Sequence, residues 1–483
     1  MAPTPCYVRV TEEPENPFFS VVQGQKVAII PEFTLESGMV IRNFPVAYKT
    51  WGKLNAECNN VMVICHALTG SADVSDWWGP LIGPGKAFDI SRFFIICLNS
   101  LGSPYGSASP CTLNGETGKM YGPEFPLVTV RDDVNIHKLI LDDLGIAQIA
   151  VCIGGSMGGM LVLEYAFFGP SYVRSIVPLA TSSRHSAWCI SWGEAQRQCI
   201  YSDPKYADGY YTFDDPPNSG LGAARMSALL TYRSRDSFET KFSRNVPDPS
   251  RHRTINAPQR APETVSEENW AVHNEGFKNG KKLASVSRET TPTPGEATSA
   301  VAASSVSSSP AGGSPLTHVS SSSSLQGNRR PQTFFTAQSY LRYQGDKFVK
   351  RFDANCYIAI TRKLDTHDIS RDRGDDVRHA LTTLTQPALV IGIESDGLFT
   401  FAEQQEIATY MPNARLAKIN SPEGHDAFLL EFAEVNRLIV NFLEETLPDI
   451  MSREGAQILS DAEELEDVKY NSTVGEVEDL TTW

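Results

Sequence analysis

The stretch "QIAVCIGGSMGGMLVLEYAFF", residues 148–168, constrains the fold more than any other. Its first six residues read as a buried strand, four glycines flank one serine, and a helical run follows at once. A strand that turns into a helix this abruptly belongs in an α/β sheet, and the rest of the chain repeats the theme. "NVMVICHAL" (60–68), "RFFIICLNS" (92–100) and "VRSIVPLA" (173–180) are further apolar strands. "DDVNIHKLILDDLGI" (132–146) places Val134, Ile136, Leu139, Ile140 and Leu144 mostly on one helical face. Strands alternating with helices predict an α/β domain with a mainly parallel sheet.

The rhythm stops near residue 184. Residues 184 to about 245 are rich in Trp, Tyr, Arg and Gln at helical spacing. The stretch 246–332, with "SAVAASSVSSSPAGGSPLTHVSSSSSLQG", is too poor in apolar side chains to bury a core and reads as a disordered insertion. Helical pattern resumes at "TFFTAQSYLRYQG". A strand and loop, "PALVIGIESDGLF" (387–399), then the helix "TFAEQQEIATYM" and "ARLAKINSPEGHDAFLL" restore the α/β alternation. The expected organisation is a split sheet domain (17–183 and 376–450), a helical lid (184–375) containing the insertion 246–332, and an acidic tail (451–483).

The glycine turn has three chemical readings. A phosphate loop of the G-x-x-x-x-G-K-[ST] kind fails because no lysine follows, and the spacing is not G-x-G-x-x-G. Gly154-x-Ser156-x-Gly158 does fit a nucleophile elbow between strand and helix. Such a turn forces strained backbone on the serine, so only small residues are tolerated two before and two after it. The serine oxygen then sits at a helix N-terminus, where aligned N–H groups favour developing negative charge.

An elbow asks for an acid and then a histidine later in the chain. Of nine histidines, His425 in "SPEGHDAF" follows the last strand, and Asp396 in "GIESDGLF" follows the strand before it. Ser156, Asp396 and His425 are therefore the candidate triad. "CHALTG" (65–70) follows an inner strand where this architecture takes its second oxyanion donor. The backbone N–H groups of Leu68 and Met157 are the expected oxyanion hole, with His66 structural rather than catalytic.

Composition narrows the partners. A formal charge of −15 over 483 residues argues against nucleic acid. No apolar run reaches the roughly 18 residues that span a bilayer, and the start shows no secretory or mitochondrial signal. Nine cysteines without C-x-x-C spacing, several inside strands, read as buried thiols of a cytoplasmic protein. No metal site is expected, and the N-x-T sequon at Asn471 is expected to go unmodified.

Taken together, "CHALTG", "GGSMGGM", "GIESDGLF" and "GHDAF" resemble the homoserine O-acetyltransferases of the α/β-hydrolase fold, the fungal members in particular, over residues 17–245 and 333–447. The resemblance implies an inserted helical lid and ping-pong acyl transfer from acetyl-CoA to L-homoserine in methionine biosynthesis. Acetyl-CoA is then a substrate, with no permanently bound cofactor. It also implies a homodimer formed through the helical domain. "ARMSALLTYRS" matches the family's arginine and tyrosine seven residues apart with Arg225 and Tyr232. The resemblance assigns Arg225 to the amino-acid carboxylate and Asp426 to its ammonium. The loop "NSLGSPYGSASP" (99–110) departs from the family's glycine-richer form. L-serine as acceptor, succinyl-CoA as donor, and simple ester hydrolysis are the alternatives.

Overall fold

A computed structural model describes residues 6–13, 15–247, 263–277 and 333–453. Two units are distinguished, Met1–Ser243 with Ala337–Trp483, and Arg244–Thr336. The first contains the sheet. Its strands are β1 (Val8–Val10), β2 (Lys26–Thr34), β3 (Val40–Trp51), β4 (Val61–Cys65) and β5 (Phe94–Leu98), then the small hairpin β6 (Leu113–Asn114) and β7 (Lys119–Met120). They continue with β8 (Ile149–Gly155), β9 (Ile176–Leu179), β10 (Ala388–Ile393) and β11 (Ala414–Ile419). The spatial order is β1-β2-β3-β5-β4-β8-β9-β10-β11. From β5 to β11 every pairing is parallel, as the alternation of strands and helices predicts.

The other end of the sheet differs. β1, β2 and β3 pair antiparallel, and β3 joins β5 antiparallel. Pro31, Pro45 and Asn43 (φ 48°) interrupt the alternation in β2 and β3, which hides their period of two.

Both faces of the sheet are covered. Along β4, Val61, Val63 and Cys65 join one apolar core while Met62 and Ile64 join the other. Helices Val130–Asp143 and Met157–Ala166 pack on the first core, and helix Phe432–Thr446 on the second through Val435, Ile439, Phe442 and Leu443. The Val130–Asp143 helix starts two residues before its predicted bound, because Thr129 and Asp132 form a reciprocal capping box. Burial of β8 is complete from end to end, the environment expected at the centre of a parallel sheet. Cys65, Cys97 and Cys152 lie within these buried strands as free thiols.

Helices Ala187–Tyr201, Asn218–Tyr232, Arg235–Lys241 and Ala354–Asp365 occupy the region read as a lid, and belong to the same unit as the sheet. In the second unit Val265–His273 is helical, with the Thr264 side chain accepting from the Glu267 amide. "TVSEENW" carries a cap residue and an acidic first turn, a local signal masked by the composition around it. The Ser-rich run 301–325 and the acidic tail beyond residue 453 lie outside the described residues.

Among the described residues no helix is long and apolar enough to cross a membrane.

Candidate active site

The elbow forms where β8 meets helix Met157–Ala166. Ser156 has φ 59° and ψ −126°, a conformation that costs about 1–3 kcal/mol and persists only where its surroundings enforce it. They do so by close approach. A Cβ on Gly154 would lie 2.5 Å from the Gly158 carbonyl oxygen, and one on Gly158 would run into the Cys65 carbonyl oxygen. The Ser156 amide donates to the Leu179 carbonyl at 3.0 Å, and its carbonyl accepts from Thr181 Oγ1 at 2.8 Å. These contacts aim the hydroxyl outward from the C-terminal edge of the parallel strands, the usual ligand position in such sheets.

The two partners arrive from neighbouring strands. Asp396 follows β10, and His425 sits in the 3₁₀ turn Gly424–Leu429 after β11. His425 Nδ1 lies 2.7 Å from Asp396 Oδ2, and Nε2 lies 2.9 Å from Ser156 Oγ. Asp396 Oδ1 accepts from the amides of Leu398 at 2.8 Å and Phe399 at 3.0 Å. With the carboxylate so held, Nδ1 carries the proton as donor and Nε2 is left to accept from the serine hydroxyl. Phe399, Phe428 and Tyr232 surround the imidazole with centroid distances of 5.3, 5.4 and 6.1 Å. All three triad members are brought together, each nine-tenths or more buried.

A cavity opens over Ser156. Ala67, Leu68 and Thr69 of the "CHALTG" loop border it. Met157 is the first residue of its helix, so its amide has no helical acceptor. His66 turns away from this chemistry. Nδ1 lies 2.8 Å from the Ala67 carbonyl, and Nε2 accepts from the Ser100 amide at 2.9 Å. Burial pushes its pKa down to about 4. His66 is thus a neutral brace between two loops.

Tyr232 and Asp426 also border the cavity. Arg225 stands one layer back, 2% exposed, with its guanidinium 5.6 Å from the Tyr232 ring centroid and 5.0 Å from that of Phe348.

Other contributors carry no clear sequence signal. Cys189, Trp192, Gly193 and Gln196 form one wall of the cavity; their spacing of three, one and three is a helical stripe within "CISWGEAQ", the one pattern that marks them in the sequence. Arg233 forms an ion pair with Asp426, Nε to Oδ2 at 3.0 Å, and another with Glu423. Beneath the 99–110 loop, the fully buried pair Lys363–Asp133 clamps Leu101 from both sides. Lys363 Nζ donates to the Leu101 carbonyl at 2.6 Å, and Asp133 Oδ1 accepts the Leu101 amide at 2.9 Å. Nothing near Lys363 or Arg233 in sequence points to these partners.

Among the described residues, Cys111, Asp353 and Cys356 are close enough together to hold a metal. Their atoms already serve one another and the fold. Asp353 caps helix Ala354–Asp365, accepting from the Cys356 amide at 2.9 Å and from the Tyr211 hydroxyl at 2.7 Å. The two sulfurs are 3.6 Å apart, and burial raises both thiols above their ordinary pKa.

The arrangement has parts that acyl transfer needs: a nucleophile and a base with its orienting acid. A family model described as the alpha/beta hydrolase fold matches residues 60–265. A homoserine O-acetyltransferase of Ascobolus immersus is 61% identical, covering 100% of this chain and 98% of its own length. One from Saccharomyces cerevisiae is 56% identical over 97% and 96%. Among solved structures, homoserine O-acetyltransferase from Bacillus anthracis superposes with a TM-score of 0.66 at 20% identity, covering 87% of this chain and 97% of that one. Esterase E22 gives 0.64 at 23%, covering 87% and 99%. At such identities the two structures share the fold alone, one that serves a transferase and an esterase equally.

Proposed function

Because the chain belongs to the homoserine O-acetyltransferases, acyltransferases of the α/β-hydrolase fold, we propose that Ser156 carries an acetyl group from acetyl-CoA to the γ-hydroxyl of L-homoserine. His425 Nε2 takes the Ser156 proton as Oγ attacks the thioester carbonyl carbon. The amides of Leu68 and Met157 receive the resulting oxyanion. When the tetrahedral adduct collapses, the C–S bond breaks, the sulfur takes the proton from His425, and an acetyl ester stays on Ser156. In the second half His425 removes the homoserine hydroxyl proton, and that oxygen attacks the ester. The proton returns to Ser156 as O-acetyl-L-homoserine leaves. Asp396 holds the imidazole tautomer and stabilises the imidazolium throughout. The observation that carries this reading is the continuous hydrogen-bonded line Asp396–His425–Ser156 at 2.7 and 2.9 Å.

The acceptor is a zwitterion, and the reading gives each charge a partner: Arg225 for the carboxylate, Asp426 for the ammonium. A carboxylate on the cavity wall supports it, and Arg225 lies behind the Tyr232 ring that borders the cavity. Tyr232 fills the space between Arg225 and the imidazole. The largely apolar walls, with Trp192, Leu364, Phe399 and Phe428, keep water from the acetyl ester and favour transfer over hydrolysis. The same reading takes the protein as a cytoplasmic homodimer paired through the helical region. Light scattering of the purified chain checks the dimer.

Free-thiol release from acetyl-CoA with L-homoserine, with L-serine and without acceptor tests the function. Fast release only with L-homoserine supports it. Equal release without acceptor makes the protein an esterase, and preference for L-serine reassigns the acceptor.

A further inference from the structure

The residue after Tyr232 is a second buried cation on the acceptor side. Arg233 ends helix Asn218–Tyr232, and its side chain is 5% exposed. Nε lies 3.0 Å from Asp426 Oδ2, and Nη1 pairs with Glu423. Glu423 also accepts from Ser237 Oγ at 2.6 Å and faces Lys241 Nζ at 3.5 Å. The backbones meet too. Ser234 Oγ donates to the Pro422 carbonyl, and Gly424 (φ +72°) has room for no Cβ, which would lie 2.5 Å from the Ser234 nitrogen. A helix end from residue 232 onward is thereby clasped to the loop 421–426 that carries His425. Arg233 thus bridges two carboxylates, Glu423 and Asp426, and Lys241 faces Glu423.

We propose that Arg233 is a positioning residue for the acyl acceptor: it holds the Asp426 carboxylate at the cavity wall in the orientation that receives the substrate ammonium. This deepens the proposed acceptor site and rests on the reading of Asp426 given above. Arg233 pairs with the Asp426 carboxylate, while the Asp396 carboxylate has its own amide donors. Without the guanidinium, Asp426 and Glu423 would lose the cation they share, and the Asp426 carboxylate would shift from its place at the cavity wall. Displacing a binding group by about 1 Å is enough to cost on the order of 100-fold.

The test compares Arg233→Gln, Arg233→Lys and Asp426→Asn, reading KM for each substrate, kcat, and the burst of CoA release from acetyl-CoA alone. Arg233→Gln and Asp426→Asn are expected to raise the L-homoserine KM about 10- to 100-fold while the burst amplitude persists. The double variant is expected to be little worse than either single one. Arg233→Lys, which keeps charge but loses the two-point contact, is expected to recover part of the loss. If Asp426→Asn raises this KM and Arg233→Gln does not, the inference is overturned and the Asp426 reading stands. If Asp426→Asn leaves the KM unchanged, that reading fails and the inference fails with it. If Arg233→Gln lowers burst, Tm and both half-reactions in proportion, with no rescue by Arg233→Lys, the clasp is structural only and the inference is overturned.

Discussion

The rim of the sheet and the helical face above it build the two sides of one cavity by different rules. On the rim, Ser156 directly follows β8, and Asp396 and His425 come from the short segments after β10 and β11, so their relative positions are set by a strand spacing of about 4.8 Å and by chain order. On the helical face, Arg225, Tyr232 and Arg233 depend on how helix Asn218–Tyr232 meets a loop 190 residues further along. The first arrangement is written in local pattern. The second exists only after tertiary packing. On the proposed reading, acyl transfer divides along the same line, with bond making on the rim and choice of acceptor on the helices.

The largest effects fall on the rim. Ser156→Ala is expected to lower kcat by about 10⁴-fold or more and abolish CoA release with every acceptor. Asp396→Asn is expected to cost about 10⁴-fold by leaving the wrong imidazole tautomer. Stopped assays with both substrates check this; a variant that lost only homoserine use would break the division of labour.

Next in size is the Lys363–Asp133 clamp, which ties the Ala354–Asp365 helix to Leu101 in the 99–110 loop. Lys363→Met leaves the Asp133 carboxylate in the interior without its ammonium, at an expected cost of about 3–5 kcal/mol in urea denaturation. Replacing both residues by apolar ones is expected to restore only part of that, because the buried Leu101 amide and carbonyl lose these partners.

The His66 brace sets a pH dependence of stability. Its folded pKa of about 4 lies below the unfolded value of about 6.5, so protons bind the unfolded chain more tightly. The contribution is complete above about pH 6.5 and is lost as pH falls toward about 4, to the extent of roughly 3 kcal/mol. His137, pushed down to about 3 by burial and by Lys363, acts in the same direction. Denaturation between pH 7 and pH 4 is expected to show a steeper loss in the parent than in His66→Gln.

The smallest effect belongs to the helical face alone. Arg225→Lys is expected to raise the L-homoserine KM by about 10-fold, through the loss of a forked contact to a carboxylate, while the acetyl-CoA burst stays the same. Equal loss in both half-reactions would place Arg225 with the triad instead.

Legibility in the amino-acid sequence follows the same division. The β8 elbow, the order of acid and base, and the parallel strands follow from short-range signals: unbroken apolar runs, glycines around Ser156, loops after β10 and β11. The antiparallel β2 and β3 escape a pattern reading because proline and a left-handed Asn43 break their alternation. The helix Val265–His273 escapes it because the composition around it outweighs its cap. Arg233 carries no local mark distinguishing it from a solvated surface arginine. Its meaning depends on Glu423 and Asp426, which only the fold brings near.

The most direct test of the central claim is intact-protein mass spectrometry of the enzyme mixed with acetyl-CoA in the absence of acceptor, followed by peptide mapping. A single acetyl group on the peptide bearing Ser156, discharged by L-homoserine as O-acetyl-L-homoserine forms and absent from Ser156→Ala, is the predicted result. Transfer to L-homoserine without any acetylated intermediate, or an acetyl group that persists in Ser156→Ala, would contradict the account.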